Sequence, residues 1–210
     1  MQSRLTTSFA IMVQPPPCDR SSSLPAAQSL IARAKMGEAG AFEEILIRYQ
    51  RQVLGTAVRL LGNIDDASDA AQEVFLRLYK YLHKFDEEKE FLPWLYRMTV
   101  NVCHDISRKR GPIVSVSLEQ EQESGALDNL ASRHDIESEI AVAQERSRLV
   151  EALATLSEKE RAAIVLRDIE GLETKEVARL LGTSQATVRS QISQARVKIK
   201  KYLDRVLKRS

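Results

Sequence analysis

From Phe42 to Ile106 the apolar side chains return every three or four residues, and nowhere in that span do they alternate. Phe42, Ile45, Leu46, Tyr49, Val53, Leu54, Val58 and Leu61 form one stripe, which stops at Gly62-Asn63. Ala71, Val74, Phe75, Leu78, Leu82 and Phe85 form a second. Phe91, Trp94, Leu95, Met98, Val102 and Ile106 form a third, with Pro93 near the first turn, where a missing N–H is harmless. A strand would bury every second residue, whereas these spacings bury one face of a helix. The segment therefore predicts a helical bundle of about 80 residues. Composition agrees: 8 glycines, 6 prolines and 29% charged residues lean towards an all-α chain.

Gly111-Pro112 closes that block. Residues 113–135 carry no strong period, and helical spacing resumes with Ile140, Ala143, Val150 and Leu153. Ser157, with Glu160 three residues on, is a capping box that starts a helix ending at Gly171. "TKEVARLLG" (174–182) is a further short helix, and Ser184 can cap the next. Helix, a tight turn containing Gly182, then helix is the helix-turn-helix arrangement. The expected organisation is a disordered tail over 1–27, a helical domain over 28–111, an acidic flexible linker over 112–135 and a second helical domain over 136–210.

Net charge is only +2, but the charges are unevenly placed. Between Ser115 and Glu145 eight acidic residues face one basic residue, Arg133; from Leu181 to Ser210 eight basic residues face Asp204 alone. One end is thus suited to a polyanion, and the linker to a basic channel.

Other classes are poorly supported. Cys18 and Cys103 have no CxxC spacing, so neither a disulfide framework nor a zinc site is expected, and a reducing cytosol is. His104 stands between Cys103 and Asp105, but adjacent helical residues point about 100° apart and cannot converge on a metal. No cofactor is implied. No apolar run approaches the roughly 20 residues that span a bilayer. "SFAIMV" (8–13) is too short for a signal sequence and runs into three prolines; Met1 and Met12 both remain open as the start.

The last helix raises a sharper question. Val188, Ile192, Ala195, Ile199, Leu203 and Val206 supply its buried stripe. Away from them lie Ala186, Arg189, Ser190, Ser193, Gln194 and Val197, with Ser184, Gln185 and Thr187 at the start and Arg196 beyond. A solvated helix usually carries Glu–Lys pairs. A helix entering the major groove needs small residues for close approach and Arg or Gln for base edges. Lys198, Lys200 and Lys201 then suit phosphates. The expectation is a DNA-reading helix.

A second constellation sits in "DDASDAAQEVF" (65–75), where Asp66, Asp69, Gln72 and Glu73 share the side opposite Val74, Phe75 and Leu78. Acidic residues favour a helix start, which accounts for Asp65 and Asp66 but not for Glu73, past the first turn. Such a face repels DNA and suits a basic protein partner.

Together "DDASDAAQEVFLRLYKYLHKF", "FLPWLYRMTVNVCHDISRKR" and "LSEKERAAIVLRDIEGLETKEVARLLGTSQATVRSQISQARVKI" resemble bacterial sigma factors of the extracytoplasmic-function (ECF) group. The likeness covers about residues 28–110 and 140–205. It implies a two-domain initiation factor that binds core RNA polymerase and directs it to promoter DNA in the cytoplasm. By resemblance, Asp66, Asp69, Gln72 and Glu73 would meet the polymerase's largest subunit. The stretch from Phe85 to Phe91 would capture a flipped base, and Arg97, Asn101, Arg108, Lys109 and Arg110 would line the −10 DNA. The second domain would read the −35 element and dock on the polymerase flap. Many members are held inactive by an anti-sigma factor, a partner the sequence does not name; nor does it name the promoter sequence or the inducing signal. Gln191, Ser193 and Gln194 depart from the more basic or aromatic residues common there, so family habit does not predict the −35 sequence. Trp94, spaced with Phe91 and Met98, reads as core rather than as a base-stacking residue.

Two rival readings compete. A DNA-binding regulator that never touches the polymerase has no use for the acidic 66–73 face. An enzyme would need a P-loop, a nucleophile–base pair or a metal triad, and the sequence offers none.

Overall fold

The computed structural model describes residues 24–110 and 147–208, and every regular element among them is a helix. The first half contains α1 (Leu24–Lys35), α2 (Ala39–Leu61), α3 (Ile64–Tyr81) and α4 (Phe91–Arg110), with a 3-10 turn, Leu82–Lys84, after α3. The second half contains α5, described over 147–154, then α6 (Glu158–Ile164), α7 (Thr174–Leu180) and α8 (Gln185–Leu207). The expected tail up to residue 23 and the acidic linker lie outside the described residues, as do Ile140 and Ala143. Helix α1 begins at Leu24, inside the segment whose composition reads as tail; Leu30 and Ile31 anchor it in the core shared with α2.

Local chemistry sets the helix ends. Gly62 takes φ 83°, a left-handed conformation that costs glycine no Cβ clash, and its N–H donates to the Val58 carbonyl at 2.8 Å. One residue later Asn63 caps α3 by accepting the Asp66 N–H at 2.8 Å. Two residues thus reverse the chain, so α2 and α3 pack as neighbours around Ile45, Val53, Val74 and Leu78. Each such side chain contributes on the order of 1.5–3 kcal/mol by leaving water. Trp94 is partly buried, packed on Phe85 with ring centroids 4.9 Å apart.

In the second half Ser157 and Glu160 form the expected capping box of α6. The helix does not run evenly to Gly171, however. It widens into a π turn over Val165–Ile169, and Gly171 follows at φ 71°. Glu173 and Glu176 cap α7, Gly182 turns the chain at φ 61°, and Ser184 caps α8 through the Thr187 N–H at 3.0 Å.

Helix α4 shows two apolar stripes where the periodicity predicts one. Leu95, Val102 and Cys103 face the first core. Leu92, Tyr96 and Val100 face the second half, where Tyr96 shares a buried cluster with Leu166, Val177 and Val188. The two halves therefore touch along α4 and α2.

Burial pushes the Cys103 thiol up to about 12. A thiol held neutral and out of water is a poor nucleophile. Native protein treated with iodoacetamide at pH 8 should leave Cys103 unmodified in peptide mapping, while denatured protein should be modified there within the same time. Rapid native labelling would contradict the packing.

Candidate nucleic-acid interface

Four surfaces carry the residues that the sequence singles out. On α3, Asp69 and Gln72 are exposed. Glu73 leans aside, accepting from Arg77 Nε at 2.6 Å, and Arg77 also approaches Asp105 at 3.6 Å. Asp66 belongs to the helix start: its carboxylate takes the Asn63 amide at 2.8 Å and pairs with Arg110. Sequence reasoning missed Leu76 and Tyr79, 67% and 72% exposed: Leu76 lies four residues, about one turn, beyond Gln72, and Tyr79 three residues beyond Leu76. Their signal was legible, since both are large apolar residues lying off the buried stripe. The face thus combines acidic, amide and apolar groups, the mixture a protein partner needs.

On α4, Arg97, Asn101, Arg108, Lys109 and Arg110 are all exposed. Arg97 and Asn101, one turn apart, lie on one side, with Arg108 further along it. Arg108 is 3.6 Å from Asp105, and Arg110 turns back to Asp66, so these two cations have carboxylates to leave before they meet DNA.

Between α3 and α4, Phe85 and Phe91 are buried edge to face at 5.5 Å, while Asp86 to Glu90 are exposed. Phe85, Phe91 and Glu87 to Glu90, with Gln28 and Ile31, line a small cleft. Lys35 ties the loop to α1, donating to the Phe85 carbonyl at 3.0 Å and to Glu87 at 2.6 Å. Hydrogen bonds from Lys89 and from the Glu88 N–H hold the Asp86 carboxyl below its usual range.

On α8 the expected stripe is buried at Val188, Ile192, Ala195 and Ile199. Gln185, Ala186, Arg189, Ser190, Ser193 and Gln194 are exposed on its other sides. Ser184 and Thr187 are exposed too, with their hydroxyls 2.8 Å apart in the cap. Arg189 lies within loose reach of Gln185, 3.4 Å away, and is easily released to a ligand. Arg196 is different. Asp168 holds it with two parallel hydrogen bonds of 2.9 Å, which fastens α8 to the π turn. Lys198 is likewise drawn to Glu160, at 2.7 Å. Burial pushes the Glu160 carboxyl up, but bonds from Lys198 and Ser157 outweigh it and hold the group below its usual range. Lys200 stays exposed on α8. The sequence shows eight cations at this end, of which Arg209 lies outside the described residues; the structure divides the others into those bracing the domain and those facing solvent.

Among the described residues, no group of His, Cys, Asp and Glu side chains converges as a metal site would require, and no helix is long and apolar enough to cross a membrane. Cys103 is buried and His104 exposed, so these neighbours point apart.

Two family descriptions match the chain: sigma-70 region 2 over residues 45–112 and sigma-70, region 4 over residues 146–199. The RNA polymerase sigma-H factor of Pseudomonas aeruginosa is 33% identical over 186 residues, covering 86% of this chain and 95% of that protein. The ECF RNA polymerase sigma factor SigW of Bacillus subtilis is 30% identical over 176 residues, 82% of this chain and 94% of that one. Among solved structures, CnrH in complex with the cytosolic domain of CnrY is 28% identical with a TM-score of 0.61, covering 85% of this chain and 97% of that one. The sigma factor RpoE of Bartonella quintana, in complex with the anti-sigma factor NepR, is 21% identical with a TM-score of 0.60, over 78% of this chain and 96% of that one. The second likeness is one of fold.

Proposed function

The chain belongs to the ECF group of the sigma-70 family, and from that premise we propose that it binds core RNA polymerase in the cytoplasm and brings it to promoters by reading both a −10 and a −35 element. The observation that carries this reading is the presence, in one chain, of a DNA-suited helix-turn-helix and a separate acidic-apolar face on α3. A plain DNA-binding regulator needs the first and not the second.

In this reading Asp69, Gln72, Glu73, Leu76 and Tyr79 meet the polymerase, with Asp66 holding the helix start that presents them. Arg97, Asn101, Arg108 and Lys109 follow the −10 strand, and the Phe85–Phe91 stretch receives an unstacked base and so aids melting. Arg189, Ser190, Ser193 and Gln194 read the −35 major groove from the first turns of α8, where recognition helices meet base edges. Lys200 binds phosphate. Phosphodiester chemistry stays with the core enzyme, and the chain contributes position. CnrH is held by the cytosolic domain of CnrY and RpoE by the anti-sigma factor NepR, which favours a protein partner of that kind here as well.

Mixing the purified chain with core polymerase on a sizing column tests the premise. Co-migration is expected; separate elution of the two, with the chain still able to bind duplex DNA, would favour the plain regulator.

A further inference from the structure

Resting on the reading of α8 as the −35 helix, we propose that Asp168 is a positioning residue for promoter binding. It holds the Arg196 guanidinium preset for a DNA phosphate, so the π turn that carries it serves the DNA interface.

Arg196 and Asp168 meet through two parallel bonds, from Nε to Oδ2 and from a terminal nitrogen to Oδ1, both 2.9 Å. The partners are unequally covered: the Asp168 side chain is 13% exposed and that of Arg196 59%. The carboxylate therefore lies beneath, and the outer edge of the guanidinium, with its remaining N–H groups, faces water. Those donors form a rigid, planar fork of the kind that binds phosphate oxygens in pairs. A free arginine gives up rotamer freedom when a ligand fixes it, and here Asp168 has already fixed it.

Placement along α8 points the same way. At about 100° per residue, Gln185, Arg189, Arg196 and Lys200 fall on one flank of the helix. Arg196 stands two turns, about 10 Å, past Arg189 and one turn short of Lys200. The start of a recognition helix meets base edges, whereas phosphate contacts set its register on the duplex. The π turn supplies the partner. Its extra residue rotates every later side chain by about 100°, and in that register Val165 and Ile169 are buried while Asp168 reaches α8. On the opposite flank Lys198 is tied to Glu160 of α6 at 2.7 Å. Helix α6 and its π turn thus grip α8 on both sides of its buried stripe, and the domain, rather than a flexible side chain, sets the aim of Arg196.

The test turns on a sign. Simple electrostatics predicts that removing a carboxylate near DNA tightens binding; a positioning role predicts the reverse. Holoenzyme assembled from the full chain is measured, over a range of salt, on a fragment that the wild-type holoenzyme selects from random duplex DNA. Asp168→Asn should weaken binding several-fold although it removes a negative charge, and should add nothing once Arg196 is alanine. Arg196→Ala should weaken binding equally on all −35 variants and lower the salt slope by about one. Arg196→Lys keeps the charge but cannot make the two parallel bonds, so it should restore the slope and not the affinity. Thermal unfolding identifies the folded variants, and the two Arg196 variants decide the matter if Asp168→Asn does not fold. Tighter or unchanged binding by folded Asp168→Asn, an unaltered slope in Arg196→Ala, a loss confined to one base position, or full affinity in Arg196→Lys would each overturn the assignment. Failure of the underlying reading shows separately, as a wild-type holoenzyme that selects no DNA.

Discussion

Replacing Asp69 and Glu73 together by lysine is expected to weaken binding to core RNA polymerase about tenfold or more, because close charge pairs across interfaces couple by about 1.5 kcal/mol or more. The fold should tolerate the change. Asp69 is exposed, and the Glu73–Arg77 pair lies within one helix at the surface, where such pairs contribute only a few tenths of a kcal/mol. Asp66 is left alone deliberately, since its carboxylate holds Asn63 and Arg110 at the start of α3. Competition against a labelled sigma factor for core enzyme would measure the loss, with thermal unfolding as the control. Unchanged affinity in a stable double variant would remove α3 from the polymerase interface.

Arg189→Ala and Lys200→Ala should fail in different ways. Arginine can pair bidentately with a guanine edge, so losing Arg189 should cost about 1–3 kcal/mol on the cognate −35 site and relax preference at one position. Loss of Lys200 should weaken binding about equally on all sequences and lower the salt slope by about one. The structure favours this pair of residues over the other cations of α8. Arg196 and Lys198 are engaged by Asp168 and Glu160, so their removal would mix lost DNA contact with lost bracing. Binding to a library of −35 variants at two salt concentrations separates the two behaviours. If Arg189→Ala lost affinity uniformly, α8 would be a phosphate clamp and specificity would have to come from elsewhere.

What the sequence made legible was local. The Gly62-Asn63 break, the Ser157–Glu160 capping box and the Ser184 cap each depend on a few neighbouring residues, and each stands where the pattern puts it. The buried stripe of α8 follows from helical spacing alone. What escaped depends on partners far along the chain. Periodicity assigns α4 one buried face because nothing in it reveals that a second domain will cover Tyr96. The π turn at Val165–Ile169 adds a residue to the helical count without any residue type that marks it, and Glu170 is aimed across the interface from its end. Charge counting makes Arg196 and Asp66 look available; only the fold shows Asp168 and Arg110 beside them. Sequence therefore singled out candidate faces, and structure separated the side chains that brace them from those left exposed on them.

The central claim is that this chain gives core polymerase its choice of promoter. Run-off transcription tests it most directly: core enzyme freed of other sigma factors, with and without the purified chain, on a library of upstream DNA fragments, with transcript 5′ ends sequenced. The account predicts discrete starts that appear only with the chain, preceded by shared −10 and −35 sequences, and lost when Asp69 and Glu73 are both lysine. Starts no different from those of core enzyme alone would contradict it.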